Sequence, residues 1–427
     1  MIRKIVFLFI MFFYFSGTYS VELQVQAADY ARVRLVICMV GKKTKKLQVV
    51  TQNLKKDLMF TKQFDVVIDH VATLKQSSVV KGFFRKGVPL VIFLKDSKKH
   101  KSIEWRLYDS EQATMLAGKR YVKRGKSECE WAHHIADAAW PLLTGQEGFF
   151  STKLAYCKEI RRPGKKPLKH IYIADYNGER EKLLVATSTV NIAPRWNKDS
   201  NNPLLFYSEH TSKNVRLVVV DMTGRRKIVS NFDGMNMLPA FSADGKKVVF
   251  CASRGGATCQ LYYYEKGKCR ALIKNSGNNI SPTFSQDGEK LFFCSDFETK
   301  NPQLYCYEFG TEKIERLTNG GYCVSPAFCA KNNQLAYARM VCGVMQVFSC
   351  DLNTKKHKQV TFNAGNKEEC SWSPCGNYLL FAIEKGAESR ISILNLNSSQ
   401  RQFITPKNMI CCYPAWSCPY TNFAAAA

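Results

Sequence analysis

Short apolar runs, each followed by a polar turn, recur through the second half of the chain at nearly constant spacing. The clearest stretch lies at 280–318. Residues 280–284 (Ile-Ser-Pro-Thr-Phe) predict a strand with Pro282 near an edge or a strand start. Residues 285–288 (Ser-Gln-Asp-Gly) predict a tight turn, Asp287 and Gly288 supplying its special backbone angles. An apolar strand follows at 291–295, a third at 304–307, and an alternating outer strand at 314–318. The same order recurs at 240–251 and 372–382. The anchoring aromatics are Trp196, Phe241, Phe284, Phe328, Trp372 and Trp416, separated by 45, 43, 44, 44 and 44 positions, and a proline stands two residues before each except Trp372. A strand-rich period of about 40–50 residues predicts β-propeller blades, with the aromatics packed between them.

The segment 413–417 supplies only one strand before ten further residues, whereas 153–157, 170–174 and 182–186 predict three strands without an innermost partner. Sharing one blade between 151–190 and 410–418 closes the ring without a free edge. The expected fold is therefore an α/β N-terminal domain followed by an all-β six-bladed β-propeller over 151–427.

Residues 1–20 have the composition of a signal peptide: Arg3 and Lys4, then eleven apolar residues at 5–15, then small residues around Ser20. The run is short for a membrane span, so the mature chain is expected to be exported. Residues 21–145 predict an α/β domain. Its strands fall at 32–40, 65–68, 88–94 and 103–108. A helix is expected at 47–60, and another at 128–143 burying Trp131, Ile135, Ala138 and Leu142. His133 and His134 on that second helix, beside Glu130, read as a solvated pair. Gly145 and Gly148 mark the junction.

Together these features resemble the TolB family, the periplasmic proteins of the Tol–Pal envelope system of Gram-negative bacteria. The resemblance is carried by the order of elements: signal peptide, an α/β domain ending in helix and Leu143-Thr144-Gly145, Pro-x-aromatic-Ser-x-Asp-Gly repeats, and a terminal Pro414-Ala415-Trp416-Ser417. It implies a non-catalytic periplasmic protein, monomeric and peripheral to the membrane. Such a protein binds the peptidoglycan-associated lipoprotein Pal at the propeller mouth and links it to inner-membrane TolA. Carried over by motif, the Pal contact falls on Met235, Asn236, Met237 and Leu238, on Asn278, Asn279 and Ile280, and on Tyr322, Cys323 and Val324. Where many relatives have histidine and threonine, this chain has Met235 and Ile280, which makes the site more apolar. The segment after signal cleavage, Val21, Glu22, Leu23, Gln24, Val25 and Gln26, is the implied switch that communicates with TolA.

The formal charge is +27. Residues 21–150 carry 23 Lys/Arg against 13 Asp/Glu, a net +10, and residues 151–427 carry 37 against 22, a net +15. Such a field suits solvation or an acidic partner; export and the lack of a recognisable module argue against nucleic acid. Seventeen cysteines, an odd number, leave at least one outside any intramolecular disulfide. Cys251 and Cys294 occupy buried strand positions as small apolar residues, while Cys323, Cys329, Cys411 and Cys412 are expected nearer solvent or loops. No metal or cofactor motif appears: there is no G-x-S-x-G, no H-E-x-x-H, no phosphate loop and no zinc-type Cys/His spacing. The alternative function is a tunnel enzyme such as a lyase or lactone hydrolase. The innermost segments, read as Asn, Ser, Met, Ile and Cys, offer it little acid–base chemistry.

Overall fold

The computed structural model describes residues 32–74, 77–97, 102–122 and 127–419. The signal-peptide expectation at 1–20 and the switch residues Val21 to Gln26 lie outside the described residues.

The N-terminal domain runs β1 (Val33–Val40), α1 (Lys45–Phe60), β2 (Phe64–Val71), α2 (Ser77–Phe84), β3 (Leu90–Ser97), β4 (Ser102–Asp109), β5 (Thr114–Val122) and α3 (Glu128–Thr144). Its sheet has the order β2-β1-β3-β4-β5. The first three strands are parallel and the last two antiparallel. Thr44 caps α1 by accepting from the Leu47 amide at 3.2 Å. A capping box between Ser127 and Glu130 starts α3, and Gly145, at φ +73°, ends it. The buried stripe of α3 is Trp131, Ala132, Ile135, Ala136, Ala139 and Trp140. Leu142 is 51% exposed, which corrects the predicted face. Two neighbouring stripes of this helix are apolar, so periodicity alone could not choose between them.

His133 is not a solvated residue. It is 4% exposed, its Nδ1 lies 2.9 Å from Asp57 on α1, and its Nε2 lies 3.2 Å from Asp175. Asp57 also accepts from the Tyr176 hydroxyl at 2.9 Å, and Asp175 pairs with Arg180 at 2.5 Å and with Lys153. Burial pulls the imidazole pKa down, but the two carboxylates outweigh it and raise it to about 9. Burial pushes Asp175 up, and its hydrogen bond to His133 and the charges of Lys153 and Arg180 hold it well below the usual carboxylate range.

After the junction, Asp137 of α3 accepts from the Phe150 and Ser151 amides at 2.7 and 3.0 Å. A Cβ on Gly148 would fall 2.5 Å from Asp137 Oδ1, so only glycine fits there. Phe149 and Phe150 then enter a core shared by α1, α3, Tyr176, Tyr378 and Trp416. The α/β domain is therefore fused to the strands that follow it.

Those strands are β6 (Lys153–Arg162), β7 (Lys165–Asp175) and β8 (Lys182–Val185), then β9 to β12 (Val190–Trp196, Leu204–His210, Val215–Asp221, Arg226–Ser230). Next come β13 to β16 (Asn236–Phe241, Val248–Ala252, Gln260–Glu265, Lys268–Ile273) and β17 to β20 (Asn279–Phe284, Lys290–Ser295, Gln303–Glu308, Ile314–Arg316). The chain continues with β21 to β24 (Cys323–Cys329, Gln334–Val341, Val344–Asp351, Lys356–Gln359) and β25 to β28 (Asn366–Trp372, Tyr378–Lys385, Glu388–Asn395, Arg401–Phe403), then β29 (Cys411–Trp416). The last four groups of four are separate sheets. An eight-stranded sheet holds the rest, divisible into β29-β6-β7-β8 and β9 to β12, with β29 antiparallel to β6. This is an all-β propeller architecture.

Every innermost strand carries the same irregularity. Ala193, Leu238, Ser281, Ser325, Glu369 and Tyr413 all have positive φ, between 52° and 60°. The ladder register to the neighbouring strand shifts at each of these places. The bulge frees the next residue from the ladder, which is why proline is tolerated there. The aromatic two residues later reaches the previous unit: the Trp372 indole donates to the Ala327 carbonyl at 2.9 Å, and the Trp196 indole to that of Ala415 at 3.2 Å.

Among the described residues, which include all seventeen cysteines, none forms a disulfide. Cys323, Cys329 and Cys411 are buried in strands, and Cys412 is half-buried, against the expectation of loops and solvent. The thiols at solvent are Cys269 and Cys342.

Candidate binding site at the propeller mouth

The first residue of each six-residue motif is fully buried: Asn191, Asn236, Asn279, Cys323, Lys367 and Cys411. Asn236 shows why. Its amide nitrogen donates to the Val215 and Phe232 carbonyls at 2.9 and 2.7 Å, and its oxygen accepts from Ser230 at 2.6 Å. Asn279 donates to Gln260 and Asn275, both at 2.9 Å. These side chains fasten the incoming loop to the strand, which satisfies buried polar groups that would otherwise cost stability. Among the predicted contact residues, Asn236, Asn279 and Cys323 are therefore buried in this structure.

The other predicted residues stand differently. Met235 is 46% exposed and Tyr322 38% exposed. Asn278 is exposed, but it is tied to Asp296, to which its backbone amide donates at 2.6 Å. Met237, Leu238, Ile280 and Val324 are half-buried. Ile280 packs both with the cluster holding Met237 and Leu238 and with the one holding Val324. Met237, Ile280 and Val324 thus occupy equivalent positions on three successive units, and with Met235, Tyr322 and Leu238 beside them they form an apolar arc at the start of the innermost strands.

The unit at β25 departs from the pattern, and sequence reasoning missed it. Lys367, Glu368, Glu369 and Cys370 replace the Asn279, Ile280, Ser281 and Pro282 of β17. Lys367 donates to the Asn363 and Ala364 carbonyls, the first being the same four-residue reach back that Asn236 makes to Phe232. Burial lowers its pKa to about 8. Burial also raises Glu369 to about 8, with Arg195 pulling the other way. Glu369 lines both a tunnel cavity of about 450 Å3, shared with Arg195, and one of about 120 Å3, shared with Lys169, Glu368 and Tyr413. The tunnel lining is thus uncharged over the units of β13, β17 and β21 and charged at Glu369, Arg195 and Lys198. Aligning 367–372 with 236–241 was the available signal; the missing proline at 370 hid it.

The family described as the TolB beta propeller domain matches residues 140–420. The chain belongs to that family. Two curated proteins named Tol-Pal system protein TolB, from Rickettsia felis and Rickettsia prowazekii, are 30% and 31% identical over 158 residues. Each match spans 36% of this chain and 35% of the relative, about a third of its length. The crystal structure of TolB from Acinetobacter baumannii superposes with a TM-score of 0.74 at 22% identity, covering 91% of this chain and 97% of that one. The TolB fold therefore extends over the α/β domain as well as the propeller. Among the described residues, no helix is long and apolar enough to cross a membrane.

Proposed function

We propose that this TolB-family chain is a non-catalytic interaction protein of a Tol–Pal system, acting in the periplasm as a monomer. Its six four-stranded sets serve as six blades, closed by β29 on β6. The mouth binds a Pal-like lipoprotein, and the segment from Val21 to Gln26 communicates with a TolA-like inner-membrane protein. This linkage serves outer-membrane integrity and constriction during division. The observation that carries the reading is the apolar arc, because partly exposed Met, Ile, Val and Tyr side chains on neighbouring strands and the loops that enter them supply what a protein contact uses at its centre. The curated relatives are named for the same system.

Titration calorimetry with the soluble domain of a Pal-like lipoprotein tests it. Met235→Asp and Ile280→Asp each place an unpaired charge in the contact and should weaken binding by about 2 kcal/mol or more. The melting temperature of Met235→Asp should barely move, since exposed loop changes usually cost little, whereas Ile280→Asp should also lower it, because Ile280 is half-buried against two apolar clusters. Wild-type affinity in both variants would place the contact elsewhere.

A further inference from the structure

The α/β domain contains a crevice that the mouth does not involve. Strand β1 lies between β2 and β3, and both neighbours are parallel to it. Helix α1, leaving β1, packs in the core on one face of the sheet, while α2, leading to β3, packs on the other. The chain therefore leaves the carboxyl ends of the neighbouring strands β1 and β2 toward opposite faces of the sheet, which opens a crevice at that carboxyl edge. A cavity of about 260 Å3 lies there. Its apolar floor is Val40, Phe93 and Leu74, the part of that face which the eight residues of α2 leave uncovered.

Its rim is cationic. Lys95, Glu104 and Arg120 face one another across β3, β4 and β5 in register. Glu104 is engaged by Arg106 at 2.8 Å and by Arg120 at 3.4 Å. Two arginines thus share one carboxylate, and Lys95 stands opposite it in the ladder. Lys42 and Lys43, both exposed, follow Gly41 of the cavity wall. Gly118 sits opposite Arg106 in the ladder, and a Cβ there would come within 3.1 Å of the Arg106 Cγ, so the arginine stem lies across β5 only because position 118 is glycine.

We propose that this crevice binds a small organic anion, a carboxylate on a short apolar stem, with the stem on Val40, Leu74 and Phe93 and the head group at Lys95 and Arg106. Cavities of this kind combine an apolar lining with a few convergent polar groups, and Arg and Lys are the natural partners of a carboxylate. The volume suits a stem of a few carbons.

The test uses the full mature chain, with methyl NMR and calorimetry and with hexanoate, hexylamine and inorganic phosphate as probes. Hexanoate should bind saturably and shift the methyl signals of Val40 and Leu74, while hexylamine should not bind. The double variant Lys95→Gln, Arg106→Gln should weaken hexanoate at least about tenfold. Leu74→Trp should fill the floor and abolish binding at an unchanged melting temperature, which separates loss of the site from loss of the fold. Unsaturable hexanoate, equal binding of hexylamine, or an unaffected double variant would overturn the assignment. Phosphate binding as tightly as hexanoate would overturn the apolar stem. An acidic pentapeptide binding more tightly than hexanoate would overturn the free acid.

Discussion

His133 sits between two carboxylates from different parts of the chain, so its proton is a structural component. Its ordinary pKa of 6.5 is raised to about 9 in the fold. The stabilisation is complete below about 6.5 and is lost as pH rises through 9. Glu369, raised to about 8 chiefly by burial, acts in the same direction, because its ionisation on the way up is disfavoured. His133→Gln should lose about 3 kcal/mol at pH 7 by leaving Asp57 and Asp175 without their shared cation. The gap between wild-type and variant melting temperatures should narrow from pH 7 to pH 10. Subtracting the two profiles removes the Glu369 slope common to both, and a constant gap would refute the charged histidine. None of this was legible locally, since Asp57 and Asp175 lie 76 and 42 positions from His133. The apolar residues of β14 and β18 were readable, because a buried strand needs no distant partner to declare itself.

At the scale of elements, the strands with Pro and an aromatic were legible because bulge, proline and ring repeat together. Two elements were not. Helix α2 is eight residues long, with adjacent valines, a glycine and adjacent phenylalanines, too short for a helical period to emerge. Strand β5 is exposed at seven of its nine positions, so it shows no alternation of apolar and polar residues. The strand pair β29–β6 carries the prediction at this scale. Trp416 is 6% exposed, and its indole donates to Thr152 at 2.8 Å across the pair. Trp416→Ala should cost about 3–5 kcal/mol. Removing residues 409–427 should strip the partner from β6 and abolish cooperative melting of the propeller. An unchanged thermal transition in the truncated protein would mean the pair contributes nothing to closure.

For the whole molecule, the question is how a charge of +27 cooperates with an apolar contact. Exposed charges act over a Debye length of about 8 Å at physiological salt and chiefly alter encounter. The apolar arc carries no cation, while lysines crowd positions 42–46 and the rim of the α/β crevice. Raising ionic strength should therefore slow association of an acidic Pal-like partner and leave its dissociation nearly constant. Surface plasmon resonance across a salt series will read both, and a rise in off-rate matching the fall in on-rate would assign charge to the contact itself. The division into α/β and propeller regions was visible in the sequence, but the continuity of their cores was not. Phe149, Phe150 and Tyr176 look like ordinary strand and loop residues until Trp416 is brought beside them.

That closure also imposes an order in time. The Lys153 amide donates to the hydroxyl of Ser417, 264 positions away. A chain delivered from its N-terminus can pair β6 with β7 at once, but must hold the other edge of β6 open while all the intervening strands arrive. Pairings of such long sequence separation are slow to form. During that wait the open side of β6 can accept a strand from another chain. The last strand to appear is thus the one that ends the molecule's exposure to its own copies, and whatever guards the unfinished chain must stay until then.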